Sequence, residues 1–232
     1  MTVFAPPQPA FTGEQLAFLR SVDSPTIANA IEAFAVRDRT EGHIGGAVRA
    51  LFPDLGVMVG HALTVKIRNE PGPPASYDGF WALFEALSHM PAPAVLVLQD
   101  DSGKPDQAAY AGEVMATMAK RLGAVGLVTD GGLRDLHEVH PLGFHFYAAH
   151  VVVSRGNFSF HEVGEPVTLF GQRIATGDIL HGDVNGIVIV PPQTLDGLPA
   201  AIAEVRASER RLMDFACSPN FDITIAKSGE GY

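Results

Sequence analysis

The sequence predicts an α/β fold: a central parallel strand–helix unit, additional short strands and a long C-terminal helix. Three observations carry this. Two continuous apolar runs, AVLVLQ at 94–99 and VGLVT at 125–129, have the pattern of strands buried on both faces of a parallel sheet. Each run ends in a polar turn that leads into a helix-forming segment, as in parallel βα units. A stretch at about 193–214, rich in Ala, Glu and Arg, predicts the terminal helix.

The elements follow in order. Pro6, Pro7 and Pro9 make residues 1–12 an extended arm, and 13–20 read as a helix. Asp23 or Ser24 can cap a second helix, with Pro25 in its first turn and Ile27, Ala30, Ile31 and Phe34 on one face. Residues 42–56 are a Gly-rich loop with short extended pieces. In HALTVKIR (61–68), Leu63, Val65 and Ile67 alternate with Thr64, Lys66 and Arg68, which predicts a strand with one polar, solvated face. NEPGPPAS (69–76) is loop, and 77–89 is a helix bearing Phe80, Leu83, Phe84 and Leu87, with Trp81 packing beside them.

After the 94–99 strand, Asp100–Asp101 open a polar loop. A helix then runs from about Gly112 to Arg121, its apolar face formed by Val114, Met115, Met118 and Leu122. The 125–129 strand ends at an Asp130–Gly131–Gly132 turn before the short helix LRDLHEVH. FHFYAAHVVV, PVTLF and GIVIVP read as further strands, with Asp183 and Asn185 as turn formers before the last. The breaks at 69–76 and 101–106 fit loops better than boundaries. This predicts an arm and first helix at 1–22, one α/β domain at 23–214 and a tail at 215–232.

Composition bounds the function. The 232 residues are 47% hydrophobic and 18% charged, a globular balance. A net charge of -10 repels phosphate backbones, which argues against nucleic acid as a partner. Arg206, Arg210 and Arg211 read as one solvated helix face. The single cysteine, Cys217, excludes an intramolecular disulfide and sits at a predicted helix exit. MTVFAPPQPAF has no basic start and no long apolar run, and no stretch approaches the ~20 apolar residues of a membrane span. A cytoplasmic protein without a membrane partner is expected.

In open α/β sheets, ligands gather at the carboxyl ends of the strands. If the two buried strands are parallel neighbours, Glu113 and the pair Arg134–Asp135 face each other across one crevice. Gly112 lets a ligand approach the backbone. The N–H groups of Glu113, Val114 and Met115 suit a carboxylate. Arg134 offers a planar pair of donors to a carbonyl or carboxylate oxygen. Asp135 and Glu113 are hard oxygen ligands suited to Mg²⁺ or Mn²⁺, which need only one or two carboxylates plus waters. By spacing alone, the Arg–Asp pair reads more readily as a helix-start salt bridge than as a site.

Other candidates are weaker. His137 and His140 are spaced i, i+3, which does not match the zinc pattern HExxH. His145, His150, His161 and His181 read as structural. Lys66 raises a Schiff-base mechanism, but its polar neighbours make it a solvated lysine. Asp130 reads as orienting the Gly-Gly turn.

AGEVMATMAKRLGAVGLVTDGGLRDLHEV resembles the signature of the RraA-like proteins, which include the 4-hydroxy-4-methyl-2-oxoglutarate/4-carboxy-4-hydroxy-2-oxoadipate aldolases. DSPTIANAIEAF, GHALTV and GDILHGDVNGIVIVPP resemble further family segments, although Asn29 stands where an Asp is usual. The resemblance covers about residues 22–212. It implies one α/β domain assembled as a trimer or hexamer, with sites between subunits. It also implies roles. Gly112, Glu113, Val114 and Met115 would hold the substrate carboxylate through helix-start amides. Arg134 would contact the keto or enolate oxygen, Asp135 would bind the divalent metal, and Glu113 would hold a water on it. Glu209, or else Glu204, of a neighbouring subunit would complete the site. The implied reaction is retro-aldol cleavage or decarboxylation of a 2-keto acid, releasing pyruvate. Two alternatives stay open: a non-catalytic, protein-binding regulator of ribonuclease activity, and another metal-dependent lyase or hydrolase on the same scaffold.

Overall fold

The computed structural model describes residues 5–228. The parts of the expected arm and tail at 1–4 and 229–232 lie outside the described residues. Helix α1 (Gly13–Arg20) starts at a capping box between Thr12 and Gln15. Helix α2 (Ser24–Glu32) is capped by Asp23, whose carboxylate accepts the Thr26 N–H, with Pro25 in the first turn. The short strands β1 (His43–Ile44) and β2 (Arg49–Ala50) lie in the Gly-rich segment. Next come β3 (Met58–Asn69), α3 (Asp78–Ser88), β4 (Ala94–Asp100), β5 (Ala109–Ala111), α4 (Glu113–Arg121) and β6 (Ala124–Leu133). The chain continues through α5 (Leu136–Val139), β7 (His145–Val151), β8 (Phe158–His161), β9 (Val167–Leu169), β10 (Gln172–Ile174), β11 (Ile179–Asp183) and β12 (Gly186–Val190). It closes with α6 (Leu198–Ala216) and α7 (Ile223–Ser228), the latter inside the segment expected to be a tail.

Ten strands form one mixed sheet with the main order β1-β12-β11-β3-β4-β6-β7-β2; β5 joins beside β6 and β8 beside the far half of β3. The centre is parallel: β3 with β4, β4 with β6, and β6 with both β5 and β7. The remaining pairings are antiparallel, and β9–β10 form a separate hairpin. The apolar runs at the centre explain this order. Val95, Leu96, Val97 and Leu98 of β4 are completely buried, as a strand covered on both faces requires. Each such side chain contributes about 1.5–3 kcal/mol relative to exposure.

A polar joint ties the N-terminal helices to the sheet. His181 on β11 bonds the Ser24 hydroxyl at 2.9 Å and the Leu19 carbonyl at 2.9 Å. Asp183 accepts N–H groups from Ser24 at 2.8 Å and from Asn185 at 2.7 Å, so the expected turn is built on this carboxylate. His61 accepts the Ala10 N–H at 3.0 Å and stacks on Phe11, pinning the arm. These buried polar groups satisfy one another, which explains His and Asp in otherwise apolar surroundings.

Several expectations change. Thr64 is completely buried: its hydroxyl donates to the Glu165 carbonyl at 2.7 Å and lies 2.7 Å from the Thr176 hydroxyl. The segment around β9 and β10 covers the face that strand alternation assigned to solvent. Lys66 is paired with Glu162 at 2.6 Å, which raises its pKa, the opposite of what an amine nucleophile needs. Gly131 and Gly132 continue β6 rather than forming a turn. Trp81 is 58% exposed and Val114 72% exposed, because the cores under α3 and α4 take Leu83, Phe84 and Leu87, and Met115, Ala116 and Ala119, instead.

Candidate functional site

The carboxyl ends of β5 and β6 meet the start of α4 at a cleft of about 330 Å³. Gly112, Val114, Met115, Arg134 and Asp135 form one end of it. The parallel pairing of β4, β6 and β5 brings these residues together from segments 20 residues apart.

Asp135 is the pivot. Its backbone is left-handed (φ 57°, ψ 42°), a region Asp tolerates better than most residues. This turns the carboxylate back toward α4, where Oδ2 accepts the Glu113 N–H at 3.0 Å. A Cβ on Gly112 would collide with the same oxygen, so glycine there is required by close approach. Arg134 anchors by its backbone N–H to the Ala111 carbonyl at 3.1 Å. Its guanidinium lies 3.7 Å from Asp135 Oδ2 and 3.4 Å from the Val153 carbonyl, with the side chain 38% exposed toward the cleft.

The pair therefore is a helix-start salt bridge, and it also lines a cleft. Asp135 takes the first of the helix-start amides. Val114 and Met115 keep N–H groups with no acceptor among the described residues, at the positive end of α4. The Glu113 side chain is exposed, outside the cleft lining. Glu209 lies on α6, where it accepts from Asn29 at 3.3 Å, and Glu204 pairs with Arg211 at 3.5 Å. Neither glutamate lines this chain's cleft.

Behind the cleft, buried Asp100 at the end of β4 meets half-buried Asp130 within β6. Asp100 accepts from Ser102 N–H at 3.0 Å, from Gly103 N–H at 2.8 Å and from the Tyr110 hydroxyl. Asp130 Oδ1 accepts the Asp100 N–H at 2.7 Å. Burial, with the Asp100 charge nearby, pushes the Asp130 carboxyl up to about 6. Asp130 thus orients the end of β4 rather than a glycine turn. Burial likewise raises Tyr110, whose hydroxyl is committed to Asp100.

Among the described residues, no group of three or more His, Cys, Asp or Glu converges as a metal cage. A closed zinc site is therefore not built by the described residues of this chain alone. One hard carboxylate, Asp135, with Glu113 beside it, fits Mg²⁺ or Mn²⁺, whose remaining positions go to water and ligand oxygens. His140 pairs with Asp54 at 2.7 Å and does not join His137.

The rest of the cleft was not legible as a site in the sequence. It comes from Tyr77 and Phe80 around the start of α3, and from Arg155, Asn157, Phe158 and Phe160 on and before β8. No spacing rule links these segments to the Arg–Asp pair.

The family model described as RraA-like: Aldolase/RraA matches residues 24–189, which hold the whole polar end of the cleft. The chain belongs to the RraA-like family. Among its RraA-like relatives, the "Putative 4-hydroxy-4-methyl-2-oxoglutarate aldolase" of Halalkalibacterium halodurans is 27% identical over 162 residues, covering 68% of this chain and 72% of the relative. The "Uncharacterized protein MJ0644" of Methanocaldococcus jannaschii is 24% identical over 168 residues, covering 72% and 76%. The crystal structure of Streptomyces coelicolor RraAS2, described as an unusual member of the RNase ES inhibitor RraA protein family, superposes with a TM-score of 0.67. It is 22% identical and covers 91% of this chain and 100% of its own, so the likeness concerns the fold. No helix among the described residues is long and apolar enough to cross a membrane.

Proposed function

We propose that this RraA-like chain is a cytoplasmic, divalent-metal-dependent lyase. It would release pyruvate from a 2-keto acid by retro-aldol cleavage or decarboxylation, with a substrate of the 4-hydroxy-4-methyl-2-oxoglutarate or oxaloacetate type. The observation that carries this reading is the convergence of the Arg134 guanidinium, the Asp135 carboxylate and the unused Val114 and Met115 N–H groups at one end of a cleft. The aldolase name of a relative at 27% identity supports it.

Each group has a chemical task. The Val114 and Met115 amides, beside Gly112, bind the substrate carboxylate. Arg134 donates to the keto oxygen and stabilises the charge that grows there as the enolate forms. Asp135 would hold Mg²⁺ or Mn²⁺, which supplies Lewis-acid polarisation when bound. Glu113, whose side chain is exposed, would hold a water on that metal, and Glu209 of a neighbouring copy, or else Glu204, completes the site. That last role requires a neighbouring copy, because neither glutamate lines its own chain's cleft, and a homotrimer or homohexamer would supply it.

The test is pyruvate release from oxaloacetate with added Mg²⁺ or Mn²⁺, with and without EDTA. Turnover that is lost on chelation and restored by metal is expected. Silence with oxaloacetate and with every other 2-keto acid would discard the lyase and favour the regulator.

A further inference from the structure

The polar end of the cleft can satisfy a keto acid's carboxylate and carbonyl. The opposite wall is different in kind. Tyr77, Phe80, Phe160, Phe158 and Tyr110 form a continuous ladder of rings, with successive centroids 6.1, 5.8, 5.4 and 5.3 Å apart. All five line the cleft.

The polar atoms near this ladder are already committed. The Tyr110 hydroxyl donates to Asp100. The Asn157 amide accepts the Ala75 N–H at 2.9 Å and donates to the carbonyls of Glu70 and Pro73, each at 3.0 Å, so it holds the 70–75 loop rather than facing a ligand. The Ser76 hydroxyl accepts the Asp78 N–H at 3.1 Å at the start of α3. Arg155 donates to the Tyr77 hydroxyl at 3.3 Å and sits on the exposed rim. A second carboxylate placed here would lose water against aromatic faces and find only Arg155 in return. An apolar group would lose water at no such penalty and gain ring contacts.

Building on the lyase reading above, we propose that this wall is the subsite for the leaving half of the substrate, and that this half is aromatic or branched-alkyl. This narrows the lyase reading: the substrate class is then a 4-hydroxy-2-keto acid with an apolar substituent at C4 in place of the second carboxylate of a 4-hydroxy-4-methyl-2-oxoglutarate. Its cleavage is balanced without any redox partner. The C4 hydroxyl gives up its proton to water, and C4 becomes the carbonyl carbon of an apolar aldehyde or ketone. The C3–C4 bond breaks, and its electron pair passes to C3 as the enolate of pyruvate. That enolate then takes a proton from water at C3.

Binding separates this inference from the lyase reading, because it can be measured with compounds that have no C4 hydroxyl and cannot be cleaved. Titration calorimetry on the intact, metal-supplemented protein would compare pyruvate, 2-oxo-4-phenylbutanoate and 2-oxoglutarate. The phenyl compound is expected to bind roughly tenfold tighter than 2-oxoglutarate, as burial of one ring face implies. Tyr77→Ala, at a side chain 57% exposed, should shrink that preference several-fold and leave pyruvate affinity unchanged. Arg155→Gln should leave phenyl binding intact. Tighter binding of 2-oxoglutarate that is lost in Arg155→Gln would overturn the inference in favour of a second-carboxylate site. Equal affinities for the two compounds, with pyruvate still bound, would overturn it alone. If pyruvate also fails to bind, the lyase reading falls together with it.

Discussion

Asp135 occupies a backbone conformation that costs roughly 1–3 kcal/mol for a residue with a side chain, and the fold holds it there. The return is a carboxylate that caps α4 and faces the cleft at once. Arg134 beside it is half-exposed and makes one long bond to a carbonyl, so its removal disturbs little of the core. Arg134→Ala should therefore fold as the wild type does, by circular dichroism and melting temperature. It should lose about 2.7–4 kcal/mol of transition-state stabilisation, a 100- to 1,000-fold drop in kcat. Near-normal turnover would remove Arg134 from the chemistry. Asp130 makes a different prediction. Its carboxyl ionises near 3.8 in the unfolded chain and near 6 in the folded one. The folded state thus gains from proton binding below about pH 3.8, and that gain is lost as pH rises through about 6. Asp130→Asn keeps an acceptor for the Asp100 N–H and removes the ionisation. Scanning calorimetry should find it more stable than wild type by on the order of 1–3 kcal/mol above pH 6, converging with wild type toward pH 4. A pH-independent difference would refute the buried-charge account.

At the scale of elements, β6 shows where sequence reading succeeded and where it stopped. Its apolar half, Val125–Thr129, announced a buried strand. Its glycines announced a turn, yet Gly131 and Gly132 stay in the strand. A Cβ on Gly132 would lie 2.6 Å from both the Ala108 carbonyl and Val152 Cγ2. The glycine is there because β5 and the end of β7 approach closely on either side, and local turn chemistry says nothing of such neighbours. Gly132→Ala should destabilise by about 1–3 kcal/mol in urea unfolding; an unchanged midpoint would contradict the crowding. Thr64 and Val114 failed in the same way. Alternation and helical periodicity identify which residues share a face, but the hairpin covering Thr64 and the contacts that choose Ala116 over Val114 are tertiary. Three-residue β5 and four-residue β8 carry too little pattern to be read at all. The cap of α2 survived best, because Asp23 acts within three residues of itself.

For the whole molecule, the parallel centre and the position of the Arg–Asp pair in a cleft were legible, because the pair directly follows a buried strand. The aromatic wall was not, since it is assembled from positions about 80 residues apart. Helix α6 poses the remaining question of scale. Beyond Ile202 it buries no residue, and Leu212, Met213 and, further on, Phe221 and Ile223 are exposed. In the proposed assembly, these exposed apolar side chains would face another copy of the chain. If the proposed trimer or hexamer forms through them, Leu212→Glu combined with Met213→Glu should shift it to monomer in sedimentation experiments. It should abolish pyruvate release while leaving the melting of each folded chain cooperative. Unchanged mass would exclude α6 from assembly.

The Asn157 side chain, which holds the 70–75 loop against the base of β8, has a consequence for how such a protein changes over generations. The polar end of the cleft is set by β5, β6 and the start of α4, and Tyr110, Phe158 and Phe160 of the opposite wall sit on strands as well. Only the outer edge of that wall, at Tyr77, follows a surface loop fastened by one amide. In the proposed lyase, drift in that loop and at Tyr77 would reshape the fit of the substrate while Arg134 and Asp135 stay in place. The scaffold thereby keeps inheritance of chemistry separate from inheritance of taste.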